Sequence, residues 1–258
     1  MPSAFEQLLL PAECLLCRGL QLFRHAHALV CPVCRHRWRR VVPPWCERCG
    51  QPEPHFGPCR LCAQWPPALV SARSAVWLDG GARDAVHALK YGGLPRIADD
   101  LADAMVRLLP RPAPSAKLVP VPLGGGRLRR RGYNQSEELA RALGRRWGLP
   151  IAVLLDRTRD TATQTALTPT ARMANVAGAF EMRNVECGMR NERLGPGTPR
   201  GHSAFRIPRS ALTETLVLVD DVLTTGATLA ECARALGEAG YGDVSAVTFG
   251  RAAIPDFS

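Results

Sequence analysis

Two adjacent carboxylates followed by a loop of small residues form the stretch of this sequence best suited to chemistry. Asp220 and Asp221 follow an apolar run, and the residues Thr224, Thr225, Gly226, Ala227 and Thr228 come directly after them. Successive backbone N–H groups at a helix N-terminus can bind a phosphate, and glycine permits the close approach. Two carboxylates would repel a bare phosphate, so we expect them to contact sugar hydroxyls or a hydrated cation. The stretch predicts a phosphorylated-sugar site; the alternative is a strand end that binds nothing.

A second group of charged residues could complete such a site. The segment 123–135 contains four glycines, three of them consecutive, and the arginines Arg127, Arg129, Arg130 and Arg131. We expect a loop that is mobile because of its glycines and cationic because of its arginines. Planar guanidinium groups are suited to binding phosphate oxygens. A solvated basic loop or an RNA contact would have the same composition. Lys90 stands where a helix is expected to end, so it either faces the ligand or complements the helix dipole.

Eight of the ten cysteines fall in four Cys-x-x-Cys pairs. Two thiolates separated by two residues can share one tetrahedral ion, so four pairs can build two closed structural zinc sites. Redox-active or disulfide-bonded cysteines are the alternative. Sequential pairing needs only short loops and is preferred, although a cross-braced arrangement remains open. The predicted sites are Cys14, Cys17, Cys31 and Cys34, and Cys46, Cys49, Cys59 and Cys62.

The order of the remaining elements predicts an α/β fold with a mostly parallel sheet flanked by helices. The apolar run 216–219 is typical of a buried parallel strand, and ligands of such sheets bind beyond the carboxyl ends of the strands. Glycine and proline punctuation separates the other elements. Further strands are predicted at 70–78, 118–122, 151–155 and 244–251, and helices at 82–90, 96–109, 136–147, 170–176 and 229–239.

Length and composition divide the chain into a small and a large part. We expect a cysteine-rich domain at 1–66 and a second domain at 67–258, joined by an extended linker at Trp65-Pro66-Pro67. The net charge is +10, with 8 Arg against 4 Glu in residues 1–65 and 6 Arg against 2 Glu in 182–210. Residues 182–213 are predicted to be a disordered basic insertion. A basic excess of this kind favours polyanionic partners.

The N-terminus has no cationic start and only a three-residue apolar run, so we expect no secretory signal. No apolar stretch is long enough to span a bilayer. The expected location is therefore the cytoplasm, where thiols stay reduced and available to zinc.

Residues 217–228 resemble the 5-phosphoribosyl diphosphate (PRPP) motif of the type I phosphoribosyltransferases. The resemblance implies that the two acids hold the ribose hydroxyls and the following loop holds the 5′-phosphate. It also implies that the strand-to-helix segment 123–135 holds the diphosphate, with Mg²⁺ bound alongside it. The segment 156–167 would be either a lid or an ordinary surface loop.

Several further short motifs accompany the cysteine pairs and the PRPP motif. They are Lys90-Tyr91, Arg131-Gly132-Tyr133-Asn134-Gln135, Arg157-Thr158-Arg159, Thr161, Gln164, Arg172, Asn175 and Ala179-Phe180. With these residues, almost the whole chain is similar to the ComF family, in which a double zinc ribbon precedes a domain of the type I phosphoribosyltransferase fold. That resemblance implies a link to natural competence, the uptake of external DNA, and to other DNA-uptake proteins.

The resulting hypothesis is an enzyme that transfers a phosphoribosyl group from PRPP to an acceptor. Asp220 and Asp221 would be the catalytic residues. Two rivals stay open: an accessory protein that binds single-stranded DNA during competence, and a regulator that senses PRPP without turnover. The predicted PRPP-binding residues are Asp220, Asp221, Thr224, Thr225, Gly226, Ala227, Thr228, Arg129, Arg131 and Lys90.

Overall fold

The computed structural model describes residues 11–52, 59–159, 174–183 and 214–253. Its strands are β1 (Leu69–Trp77), β2 (Lys117–Pro120), β3 (Leu155–Arg157), β4 (Phe180–Met182), β5 (Leu216–Leu223) and β6 (Val244–Arg251). Its helices include α1 (Pro32–His36), α2 (Gly80–Tyr91), α3 (Ile97–Leu108), α4 (Gly125–Arg131), α5 (Gln135–Trp147) and α6 (Ala227–Glu238). The predicted helix at 170–176 and insertion at 182–213 lie largely outside the described residues.

A four-stranded parallel sheet forms the centre of the larger part, with the strand order β1-β6-β5-β2. Helices cover both faces, because the central strands are apolar on both sides and must be shielded from water. Leu101, Leu139 and Leu143 pack in the core cluster on one side. Leu229 and Leu236 of α6 belong to the other. This arrangement confirms the predicted α/β fold.

The predicted strand at 151–155 is mostly wrong. Ile151 makes only an isolated parallel bridge to Leu118 of β2. Strand β3 begins at Leu155 and pairs antiparallel with β4 in a separate two-stranded sheet. The apolar run was too short to distinguish a sheet strand from an extended connection.

The segment 123–135 was predicted to be a mobile loop, but it contains helix α4. Its glycines lie mostly at the helix ends, where they cost little: Gly124 is the N-cap, and Gly132 adopts φ 81° beyond the last turn. The intervening arginines are good helix formers. The cationic side chains are therefore presented from a helix.

The zinc-ribbon segment lies against the edge of the parallel sheet. The Val41 N–H donates to the Ala75 carbonyl at 3.2 Å, and the Trp77 N–H donates to the Arg39 carbonyl at 2.8 Å. These hydrogen bonds cover the exposed edge of β1. Trp65 is only 4% exposed, and the Leu69 N–H donates to the Pro66 carbonyl at 3.0 Å, so the chain turns here and does not form the predicted extended linker.

Candidate functional site

The two acids lie within strand β5, which continues through them to Leu223. Both are buried, because β5 lies between two other strands. Asp220 Oδ1 accepts hydrogen bonds from Ser136 Oγ at 2.8 Å and from the Asp221 N–H at 2.9 Å. Asp221 Oδ1 lies 3.0 Å from Lys90 Nζ. Asp221 Oδ2 is buried with no hydrogen-bond partner among the described residues, which is unusual for a buried polar atom.

Burial and neighbouring charges shift the pKa values of Asp220 and Lys90. Burial, followed by the charge of Asp221, raises the pKa of Asp220 to about 7, although Lys90 and Ser136 act in the opposite direction. Burial alone would lower the pKa of Lys90, but the charges of Asp221 and Asp220 raise it. Lys90 therefore stays cationic and compensates part of the negative charge.

The segment 131–136 holds these groups in place. Tyr133 donates through its hydroxyl to the carbonyl of Leu89, the neighbour of Lys90. Asn134 Oδ1 accepts from the Ser136 N–H at 3.1 Å and caps α5. Asn134 Nδ2 also donates to the Val121 carbonyl at 3.0 Å. The arginine-glycine-tyrosine-asparagine-glutamine motif therefore positions both Lys90 and Ser136 against β5.

A cavity of about 660 Å³ opens at the carboxyl ends of β2 and β5. Its charged lining combines the two acids with lysine and several arginines, and the loop after β5 supplies hydroxyls. The residues that line it are Lys90, Tyr91, Gly93, Val121, Pro122, Leu123, Arg127, Arg130, Arg131, Gln135, Arg157, Asp220, Asp221, Val222, Thr224 and Thr228.

Six of the ten predicted ligand residues line this cavity: Lys90, Arg131, Asp220, Asp221, Thr224 and Thr228. Arg129 does not line the cavity, whereas its neighbour Arg130, which is equally exposed on α4, does. Thr225, Gly226 and Ala227 are buried and also do not line it.

Besides other lining residues such as Arg127, Arg130 and Gln135, the predicted set lacked Ser136 and Arg157. Ser136 contacts Asp220, and its only sequence signal was its place directly after the asparagine-glutamine pair. Arg157 lines the cavity and stacks over Phe180 at 5.0 Å from the ring centroid. It lies at the start of the polar segment 156–167, of which residues 160–167 fall outside the described part of the chain.

The loop between β5 and α6 has the geometry of an anion site. Gly226 is the N-cap of α6 with φ 78°, a conformation that side chains rarely adopt. No side chain caps the helix, so its first N–H groups and the positive end of its dipole are available to a ligand. Thr225 Oγ1 is buried with no hydrogen-bond partner among the described residues. Thr224 and Thr228 line the cavity, so this loop borders it.

The cysteines form two groups of four, each with its sulfur atoms within 4.8 Å of one another. The Sγ–Sγ distances are 3.9 Å between Cys17 and Cys31, 3.7 Å between Cys46 and Cys62, and 3.5 Å between Cys49 and Cys59. A tetrahedral zinc ion with Zn–S bonds of about 2.3 Å places its sulfurs roughly 3.8 Å apart. The donor set and spacing therefore fit two zinc ions.

Sequential pairing of the cysteines is confirmed, because the two groups are Cys14, Cys17, Cys31, Cys34 and Cys46, Cys49, Cys59, Cys62. No histidine in the described part of the chain belongs to either group. Burial raises the pKa of Cys14 and of Cys46, but backbone N–H donors outweigh it and bring both to about 7. These donors favour the thiolate form that zinc requires.

Two buried charges connect the zinc sites to the sheet and its helices. Asp100 of α3 accepts from the N–H groups of Leu29 at 2.8 Å and Val30 at 3.1 Å, beside the first zinc site. Arg251 at the end of β6 is fully buried and donates to the Cys49 carbonyl at 2.8 Å, in the second zinc site. Each zinc site therefore has its own polar connection to the larger part of the chain.

Comparison with known proteins agrees with this architecture. The double zinc ribbon domain family matches residues 5–63. The chain is 32% identical over 238 residues to a DNA utilization protein YhgH of Salmonella typhi, covering 89% of this chain and 92% of that relative. The chain belongs to the ComF family. The competence protein ComFC of Bacillus subtilis (strain 168), 25% identical over 82% of this chain and 79% of its own length, is a further ComF relative.

A shorter match extends to the competence protein F of Haemophilus influenzae, with 32% identity over 136 residues, 52% of this chain and 50% of that protein. Among the described residues of this ComF-family chain, no helix combines the length and the apolar character needed to cross a bilayer.

Proposed function

We propose that the cavity binds PRPP together with Mg²⁺ and that the protein transfers the phosphoribosyl group to an acceptor. The observation that carries this proposal is the buried Asp220–Asp221 pair in a cavity whose other charged lining residues are all cationic. Buried adjacent carboxylates are costly, so a role in ligand binding explains their position. A ligand that offers hydroxyls to the acids and phosphates to the cations satisfies both halves of the lining.

Each part of the cavity has a distinct role in this proposal. The Asp221 carboxylate, which lines the cavity, would accept a hydrogen bond from a ribose hydroxyl. The uncapped N-terminus of α6, with Thr224 and Thr228, would hold the 5′-phosphate. Arg130 and Arg131 would contact the diphosphate, for which planar guanidinium groups are suited.

Magnesium would neutralise charge on the departing diphosphate. Hydrated Mg²⁺ prefers carboxylate and phosphate oxygens, and it keeps several of its waters. The carboxylates of Asp220 and Asp221 are oxygen donors at the cavity and fit such an ion. The residues of the chain would hold the hydrated ion beside the ligand.

In the transfer itself, the bond between ribose C1′ and the diphosphate oxygen breaks, and the bonding electrons leave with the diphosphate. A bond from the acceptor to C1′ forms, and the acceptor loses a proton if it carries one. Positive charge develops on the ribose in the transition state, so the two carboxylates would stabilise it and position the sugar. No protein nucleophile is required.

The names of the ComF relatives refer to DNA and to competence. Two relatives are named for competence and others for DNA utilization. We therefore propose that the acceptor or the product of the reaction serves the handling of incoming DNA, in the cytoplasm and alongside other DNA-uptake proteins.

Calorimetry with Mg²⁺ and PRPP, followed by measurement of diphosphate release with a panel of nucleobases, tests this function. Binding with acceptor-dependent diphosphate release supports the enzyme. Binding without release against every base would replace it with a PRPP sensor. Absence of binding would refute the assignment of the cavity.

A second candidate is binding of single-stranded DNA by the zinc ribbon. Arg18, Arg37, Arg40 and Arg60 are exposed there and have no acidic partner among the described residues. Such contacts release counterions, so affinity should fall steeply with salt. A mobility-shift assay at two salt concentrations tests it: salt-sensitive binding that disappears when the four arginines become glutamine supports this candidate, and undiminished binding refutes it.

A further inference from the structure

Trp65, just beyond the second zinc site, packs directly on the loop between β5 and α6. A Cβ atom added to Gly226 would lie 2.3 Å from Cζ2 and 2.9 Å from Cε2 of the Trp65 ring. The indole ring therefore occupies the space in which any side chain at position 226 would stand. Trp65 is 4% exposed, so the contact is shielded from water.

The second zinc site holds this ring in position. The backbone N–H of Trp65 donates to the Cys62 carbonyl at 3.1 Å. Arg48, between Cys46 and Cys49 in sequence, donates to the carbonyls of Cys62 at 3.1 Å and Trp65 at 3.0 Å. The guanidinium of Arg48 thus joins the backbone of both halves of the zinc site to Trp65.

Strand β6 provides a second connection between the second zinc site and the same loop. Arg251 donates to the Cys49 carbonyl and is paired in register with Leu223, the last residue of β5. The Ala252 N–H also donates to the Leu223 carbonyl at 2.9 Å. The loop that starts after Leu223 is therefore held at its beginning through Arg251 and at Gly226 through Trp65.

We propose that Trp65 is a positioning residue for the loop 224–228 and that the second zinc site, through Trp65, sets the affinity of this loop for a phosphorylated ligand. This proposal rests on the proposed function for its ligand, but not for the order of the loop. A loop with a glycine at positive φ has many open conformations, and the ring removes those in which the backbone at 226 moves toward it. A loop ordered in advance loses less entropy when it binds phosphate.

Amide hydrogen exchange on the ligand-free protein tests the positioning role alone. Trp38 is a matched control: it is 5% exposed, belongs to the zinc ribbon and packs edge-on against Phe249 at 5.0 Å. In Trp65→Ala, the amides of 225–230 should exchange about tenfold faster, whereas Trp38→Ala should leave them near the wild-type rate. Unchanged rates in Trp65→Ala, or equal acceleration in both variants, would overturn the proposal.

Binding of PRPP with Mg²⁺ by the same proteins separates this proposal from the proposed function. We expect Trp65→Ala to weaken binding at least about tenfold, Trp65→Phe to recover most of the loss, and Trp38→Ala to bind as the wild type does. If the wild type fails to bind, the proposed function falls while the exchange data still decide the role of Trp65. If the wild type and Trp65→Ala bind equally, the positioning role falls and the proposed function stands.

Single-cysteine variants test the contribution of zinc. Cys62→Ser in the second site and Cys34→Ser in the first should each reduce the zinc content by one ion. Only Cys62→Ser should accelerate amide exchange at 225–230. Acceleration of equal size in Cys34→Ser would show a general loss of stability and would refute the coupling to the second site.

Discussion

Lys90 Nζ lies 3.0 Å from Asp221 Oδ1 in strand β5, and this ion pair joins helix α2 to the acidic pair of the cavity. The side chain of Asp221 is only 4% exposed and that of Lys90 is 24% exposed. A carboxylate in such surroundings depends on its partner, because an unpaired buried charge is strongly unfavourable. The pair therefore links the stability of the fold to the site.

Replacing one residue of the Lys90–Asp221 pair should lower the free energy of unfolding more than replacing both residues does. Lys90→Met leaves Asp221 buried and unpaired, and we expect a loss of about 2 to 4 kcal/mol in the free energy of unfolding. The double variant Lys90→Met, Asp221→Asn should recover part of that loss. Urea denaturation of the four proteins of the cycle measures the coupling. Simple additivity of the two losses would contradict a direct interaction.

Stability should fall with rising pH because of Asp220. Its pKa is raised to about 7 in the folded protein from 3.8, so the folded state binds more protons than the unfolded state between these values. Raising the pH from 5 to 8 therefore removes stability that the neutral carboxyl contributes. Asp220→Asn lacks this group and should gain at least about 3 °C in Tm over the wild type on going from pH 5 to pH 8. An identical pH dependence of Tm in both proteins would show that Asp220 ionises normally.

Arg129 and Arg130 provide a matched test of the cationic lining, because both are exposed on α4 and only Arg130 lines the cavity. We expect Arg130→Ala to weaken binding of Mg²⁺ and PRPP about tenfold, since one charge-assisted contact is lost. Arg129→Ala should bind as the wild type does. Calorimetry at one ionic strength makes the comparison, and equal losses would indicate only long-range attraction.

Arg251 and Asp100, the two buried charged residues beside the zinc sites, should each affect the retention of a different zinc ion. Arg251→Met removes the donor to the Cys49 carbonyl and should speed loss of the second zinc ion to a chelator. Asp100→Asn weakens the contacts to Leu29 and Val30 and should affect the first ion. Release can be assigned to a site by repeating each measurement in the Cys34→Ser and Cys62→Ser backgrounds. Release of both ions at equal rates in each variant would contradict independent sites.

Local patterns predicted the most local parts of this protein. The apolar run, the two acids and the threonine-glycine loop are contiguous, so the order of β5, the loop and α6 could be predicted. The bounds differ, because β5 continues four residues beyond the apolar run to Leu223 and α6 begins at Ala227, two residues before the predicted start. Sequential pairing, of Cys14/Cys17 with Cys31/Cys34 and of Cys46/Cys49 with Cys59/Cys62, also followed from short loops. Helix α4 was missed because four glycines favour a loop unless it is known that they lie at the two ends of a helix.

Contacts between distant segments could not be predicted from the sequence. The proline pair after Trp65 indicated an extended linker, but burial of Trp65 against Gly226 depends on how the ribbon packs on the sheet. Lys90 had two equally good interpretations until its distance to Asp221 was known. Ser136 gives no signal of its own, because a serine at a helix start is common and its contact with Asp220 spans 84 positions.

The central claim is that Asp220 and Asp221 bind a phosphorylated ribose, and calorimetry of Asp220→Asn, Asp221→Asn with Mg²⁺ and PRPP tests it most directly. Zinc content and the circular dichroism spectrum serve as controls for folding. We expect binding by the wild type, no measurable binding by the double variant, and two zinc ions in each. Undiminished binding by a folded double variant with both zinc ions would contradict the account.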